Sequence, residues 1–357
     1  MGRMEEVGGW RLGVGGWGTG AGLQSDAMAG GGNDQLALFD LEPIEEPDPA
    51  AQQLARVHAE AAVTAARLPA GVFFGTSSWS FPGWKGLVYS GSRTQTELAR
   101  EGLREYARHP LLTTVGVDRS YYAPMPAEDL RSYASQLPDG FRCCFKAPAS
   151  VTALALGPPS RPTPNSDFLS VDRLIDELLG PCDAVFRAHT GPIVLEFPPF
   201  PRSLRLEPQE FLHRLDRFLG MLPRSFEYAV ELRDARLLTP TYRDLLARHR
   251  VAHTYNYWSA MPSPGEQLAI VPPDEADFSV IRLLLRPGTW YEDQRERFKP
   301  FNRLVEPDEA MRADVVTIAK RIVNRGRRVF VLVNNKAEGS SPLTVTALAK
   351  RLAGDEP

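Results

Sequence analysis

Histidine and cysteine are scarce in this chain, six and three among 357 residues. The cysteines are Cys143, Cys144 and Cys182, an odd number without metal-type spacing. They read as small buried hydrophobes in a reducing, cytoplasmic setting. The histidines, at 58, 109, 189, 213, 249 and 253, show no ligand spacing either, which argues against a multi-zinc nuclease site. There is no basic excess: 41 Lys and Arg stand against 44 Asp and Glu, for a net charge of −3. That balance disfavours a dedicated nucleic-acid binder. No apolar run approaches the ~20 residues of a membrane span. The N-terminus lacks the basic-then-apolar pattern of a secretory signal. No G-x-S-x-G elbow offers a nucleophilic serine.

What the chain does have is glycine at one end and rhythm in the rest. Residues 1–50 read as a disordered, Gly-rich tail and linker, too poor in apolar surface to order itself. Within it, "GVGGWGTG" is spaced like a dinucleotide fingerprint, but no strand precedes it and no helix follows. Met28 reads as an alternative initiator and "QLALFDLEP" (35–43) as a short docking segment. Residues 51–70 carry a short N-terminal helix.

From residue 71 to 353, short apolar runs alternate with amphipathic segments. The predicted strands are 72–76, 113–118, 141–147, 192–197, 226–232, 251–256, 278–284 and 328–334. The predicted helices lie near 95–108, 126–136, 168–179, 207–221, 239–249, 307–325 and 343–352. The connection between the sixth and seventh strands is not defined by the pattern. Strand–helix alternation points to parallel βα units, and eight of them to a TIM-like (β/α)8 barrel. An open doubly wound sheet calls for a phosphate-binding glycine loop after its first strand, and "GTSSWS" is not one.

In such a barrel the site lies at the C-terminal strand ends. Those ends collect polar and aromatic residues here. Thr76, Trp79 and Trp84 follow the first strand; Asp118, Tyr121 and Tyr122 the second; Lys146 and Glu196 the third and fourth. Glu231 and Arg233 follow on the fifth, Asn256, Tyr257 and Trp258 on the sixth, Arg282 on the seventh, and Asn334, Asn335 and Lys336 on the eighth. This bias suggests a polar cavity with aromatic walls. Each piece also has a plainer reading. Glu231 and Arg233 share a strand face and suit an ordinary ion pair, Asn334 and Asn335 suit a strand terminus, and tryptophans most often pack in cores. Arg282, between Ile281 and Leu283, is a charge that must be paired or functional.

The motifs "GTSSWSFPGWKG" (75–86), "VDRSYYAPM" (117–125), "FRCCFKAPASVT" (141–152), "LEFPPF" (195–200), "VELRDAR" (230–236), "IRLLLRPGTWY" (281–291) and "VLVNNKAEGSSPLTV" (331–345) follow one another in this order. In them the sequence resembles the YecE-like family, catalogued as domain of unknown function 72, over about residues 71–352. The resemblance implies a TIM barrel with a polar strand-end cavity and no settled reaction. It carries over Thr76, Trp79, Trp84, Tyr122, Lys146, Glu231, Arg233, Arg282 and Asn335 as cavity residues. Four positions depart from the family pattern: Gly116 stands where a Glu is usual, Glu196 where Gln is frequent, Ala153 where His is frequent, and Arg236 and Leu237 where a Trp is common.

Three functions fit these residues. The first is a hydrolase or lyase acting on an anionic or sugar-like small molecule. Glu231 with Asp118 or Glu196 then forms an acid/base pair. Lys146, Arg233 and Arg282 hold negative charge, and Trp79, Trp84 and Tyr122 stack on the ligand. No cofactor is identified, though Asp118, Glu196 and Glu231 also suit Mg²⁺ through oxygen ligands. The second is a nucleic-acid barrel using "RPGTWYEDQRERFKPFNR" (286–303) as a basic, aromatic platform. The third is a non-catalytic binding barrel. No membrane partner is expected.

Overall fold

The computed structural model describes residues 48–355, apart from 159, 205 and 274. Residues 1–47 of the expected tail, with the 35–43 segment and Met28, lie outside the described residues; the helix expected over 51–70 spans Pro49–Ala65. Eight parallel strands close a barrel: β1 (Val72–Thr76), β2 (Thr114–Val117), β3 (Arg142–Lys146), β4 (Thr190–Phe197), β5 (Tyr228–Leu232), β6 (Ala252–Tyr257), β7 (Phe278–Leu283) and β8 (Arg328–Val333). Each pairs in parallel with its neighbours in chain order, and β1 with β8 completes the ring. All eight expected strands are present, with ends within two residues of expectation. Such strands are covered on both faces, so their sequences read as near-continuous apolar runs.

Successive side chains on a strand face opposite ways, and two separate apolar clusters result. The outer one joins strands to helices and includes Cys143, Phe145, Leu195, Val230 and Ile281. The inner one fills the barrel with Phe73, Cys144, Val194, Ala229, Ala252, Phe278, Val280, Phe330 and Leu332. The adjacent cysteines thus divide between the two. Near the start of the strands the interior is plugged by rings: Phe73 stacks on Phe330 at 4.7 Å, and Phe278 meets Phe330 edge-on at 6.3 Å.

The helices follow local signals. Thr94 with Glu97, and Ser263 with Glu266, form capping boxes. The second of these starts a helix, Pro264–Ile270, in the connection the sequence pattern left undefined. The helix expected over 95–108 is split at Gly102 into Gln95–Glu101 and Leu103–Tyr106, because glycine is among the weakest helix formers. The one expected over 168–179 starts only after Ser170, since Leu169 takes a positive φ of 63°. Three short helices, Arg119–Tyr122, Ala149–Thr152 and Tyr291–Phe298, follow strand ends. No helix among the described residues is long and apolar enough to cross a membrane.

Candidate functional site

Two residues beyond the inner apolar layer, the same interior face turns polar. Cys144 gives way to Lys146, Val194 to Glu196, Ala229 to Glu231, and Val280 to Arg282. The period of two carries each of these side chains inward. The register sets Glu196 level with Glu231, and Arg282 level with both Asn256 and Leu332.

The two inward carboxylates sit on adjacent strands and are drawn together by cations. Arg282 Nη1 lies 2.8 Å from Glu196 Oε2 and 2.5 Å from Glu231 Oε2. Its Nη2 reaches Asp118 at 3.1 Å. Arg233 Nη2 contacts Glu231 Oε1 at 2.6 Å and Glu196 Oε2 at 2.9 Å. Lys146 Nζ completes the group, 3.0 Å from Glu196. Three carboxylates and three cations therefore form one network, with Glu231 wholly buried. Burial alone raises a carboxyl pKa, but Arg233, Lys146 and Arg282 overcome it and hold Glu196 well below the usual carboxylate range. For Arg282, burial opposes the charge, while Glu231, Asp118 and Glu196 more than restore it.

Aromatic rings back the cations. Lys146 Nζ lies 4.0 Å from the centre of the Tyr121 ring, and the Arg233 guanidinium 4.2 Å from that of Trp258. Tyr122, 67% exposed, meets Tyr121 edge-on at the rim. The Ser120 hydroxyl is within hydrogen-bond reach of the Val117 and Lys146 carbonyls, fastening the turn after β2 to the end of β3.

Six of the sequence-selected residues thus come together: Asp118, Lys146, Glu196, Glu231, Arg233 and Arg282. Tyr122 borders them. Four others turn their polar atoms into the protein. Thr76 Oγ1 donates to the Ser78 carbonyl and meets the Tyr106 hydroxyl. Trp79 Nε1 donates to the Leu98 carbonyl. Trp84 is fully buried, and its Nε1 donates to Asn335 Oδ1 at 3.2 Å. The same oxygen accepts from the backbone and hydroxyl of Ser341. The Gly75–Gly86 loop is therefore held by its indoles: Trp79 ties it to Leu98, and Trp84 fastens the first strand end to the last. Gly83 permits the close approach: a Cβ there falls 1.7 Å from the Pro300 carbonyl oxygen. At Gly116, where the family pattern has Glu, a Cβ lies 3.0 Å from the Ser77 carbonyl oxygen.

Three residues outside the selected set also reach the face. Tyr121 and Trp258 back the network, and Lys336 lies over Tyr291, with Nζ 4.2 Å from the ring centre. The run of polar residues after β8 contained Lys336, but its burial was not readable there. It is 8% exposed. Burial pushes its pKa down to about 8; Asp118 opposes that shift and Arg295 adds to it.

Among the described residues, no three His, Cys, Asp or Glu side chains gather to hold a metal. The carboxylates expected for Mg²⁺, Asp118, Glu196 and Glu231, all face arginines, so this donor set does not fit the ion. In the 286–303 segment, Arg286 pairs with Asp308, Arg295 with Glu292 and Glu296, Arg297 with Glu306, and Lys299 with Glu296. Cavities of about 300 and 310 Å³ open at the opposite, N-terminal strand ends, lined by residues such as Ala252 and Ser279, and Arg142 and Arg328.

A family model described as protein of unknown function DUF72 matches residues 73–357. A search of curated proteins gives no match. Among solved structures, a DUF72 family protein of Thermotoga maritima is similar at 18% identity and a TM-score of 0.55, covering 79% of this chain and 98% of that one. A DUF72 family protein of Enterococcus faecalis is similar at 15% identity and a TM-score of 0.52, covering 79% and 95%. At these identities the structural likeness speaks for the fold. The match of the family model over most of the chain speaks for kinship: the chain belongs to the DUF72 family.

Proposed function

We propose that the C-terminal strand-end face takes an anionic small molecule and that the barrel is an enzyme of lyase type. The observation that carries this reading is the charge balance of the face. Four buried cations, Lys146, Arg233, Arg282 and Lys336, stand against Asp118, Glu196 and Glu231. One positive charge is left over, and Lys336 feels the partly exposed Asp118. Low-dielectric surroundings strengthen the attraction of such a charge for an anion.

Hydrolysis by a carboxylate pair receives less support. A general acid needs a pKa near the working pH, and Glu196 is held far below it. The nucleic-acid reading draws on Trp290, 65% exposed. The ion pairs of its basic neighbours weaken it, because a cation already paired releases few counterions on meeting phosphate.

Isothermal titration and thermal shift with inorganic phosphate, short carboxylates and sugar phosphates test the reading, beside oligonucleotides over a salt series. Saturable binding of a small anion is expected. Lys336→Gln should weaken it about tenfold, a loss of about 1.4 kcal/mol. Oligonucleotide binding that falls steeply with salt, with no small anion bound, would sink the proposal.

A further inference from the structure

Among the described residues, eight Lys, Arg, Asp and Glu side chains are buried: Lys146, Glu196, Glu231, Arg233, Arg282, Arg312, Lys336 and Glu338. Seven have an opposite charge within ion-pair distance. Arg312 and Glu338 show the purely structural form of such burial, with a two-pronged contact at 2.9 and 3.0 Å. Lys336 is the exception. Among the described residues its Nζ makes no ion pair, and it lies over the face of Tyr291, 4.2 Å from the ring centre.

A buried ammonium without a carboxylate is costly to the fold. The same surroundings favour the neutral amine, whose lone pair is then free for chemistry. The position is a reactive one as well. Lys336 follows the end of β8, on the catalytic face of this kind of barrel, and it feels the charge of Asp118.

We propose that Lys336 Nζ is a nucleophilic amine that forms an imine with a small molecule bearing a carbonyl and one carboxylate, such as a 2-oxo acid. This rests on the reading of the face as an anion site. The amine lone pair forms a bond to the carbonyl carbon as the carbonyl π bond breaks, and the nitrogen passes one proton to that oxygen. The carbinolamine oxygen then takes a second proton from solvent and leaves as water, and the nitrogen lone pair closes a carbon–nitrogen double bond at Nζ. Amine, carbonyl and one proton give protonated imine and water, with no oxidant or reductant. The protonated imine keeps the positive charge at this position, and the ligand carboxylate balances it. One surplus cation on the face thus matches one negative charge on the ligand.

The test treats the full chain with glyoxylate and sodium cyanoborohydride, which reduces an imine to a stable secondary amine, and maps the modified lysines by mass spectrometry. Lys336 should be modified at least ten times faster than the exposed Lys299 and Lys320, and faster at pH 9 than at pH 7. Acetaldehyde, which lacks the carboxylate, should show a smaller preference for Lys336 over those two lysines. Lys336→Arg should lose the fast site while keeping the charge. No preference for Lys336 overturns the proposal, and an equal preference with acetaldehyde overturns the carboxylate part. Thermal shift with inorganic phosphate on wild type and Lys336→Arg judges the anion site separately. Phosphate binding without the adduct leaves the site and removes the imine. The adduct without phosphate binding does the reverse.

Discussion

The charges at the barrel mouth fall into two arrangements only a few residues apart in the fold. Arg282 is surrounded by Glu231, Glu196 and Asp118, each within 3.1 Å. Lys336, nearly as buried, lies over an aromatic ring with no acid in contact among the described residues. Both side chains are largely removed from water. For Arg282 the protein supplies replacements, and the charge is locked. For Lys336 it supplies little, and the proton is loosely held. A saturated network positions a site; an unsaturated group is where a site has chemistry to spare.

The sharpest way to break this distinction is to remove each cation in turn. Arg282→Ala takes one cation from Glu231 and Glu196, leaving only Arg233 and Lys146 to hold two buried carboxylates, and should cost about 3–5 kcal/mol of stability in urea denaturation. Lys336→Ala should cost far less, and equal losses would erase the contrast. A middle-sized effect lies in the pH profile. The folded pKa of Lys336, about 8, is below its ordinary 10.5. Between these values the unfolded chain binds more protons, so this residue makes stability rise with pH from about 8 to about 10. Below pH 8 the penalty is constant, and Lys336→Met should relieve at most about 3 kcal/mol of it. A variant whose stability keeps the wild-type pH slope would remove Lys336 as its source. The smallest effect concerns the seam between the first and last strand ends. Trp84→Phe deletes the donor to Asn335 and should cost about 1 kcal/mol, while anion binding, read by titration, stays within twofold of wild type.

The strands were readable because each is a dense apolar run, and a parallel strand covered on both faces leaves that trace in sequence. The polar strand ends were readable for a related reason. A charge two places beyond an inward-facing apolar residue, as Glu231 is beyond Ala229, must face the same interior. Direction was lost wherever the chain leaves the strand. Trp79, Trp84 and Asn335 have the chemistry of a binding wall, but loop geometry turns their polar atoms onto Leu98, Ser341 and one another. Lys336 was hidden by the same limit: whether a lysine after a strand reaches water depends on what folds over it. Here that is Tyr291, 45 residues earlier, on a short and very polar helix that has no apolar periodicity to announce it.

The helix before β1 packs against the one after β8, and Arg67 forms an ion pair with Asp355 while donating to the Ala353 carbonyl at 3.2 Å. The barrel therefore begins and ends at one place. Its strands form a ring with no privileged first member, and segments that lie side by side tolerate rejoining. A circular permutant linked across Arg67 and Asp355 and cut at the exposed turn around Gly326 keeps every strand neighbour. In it β8 is synthesised first rather than last, which separates the order in which the ribosome delivers the strands from the order in which they pair.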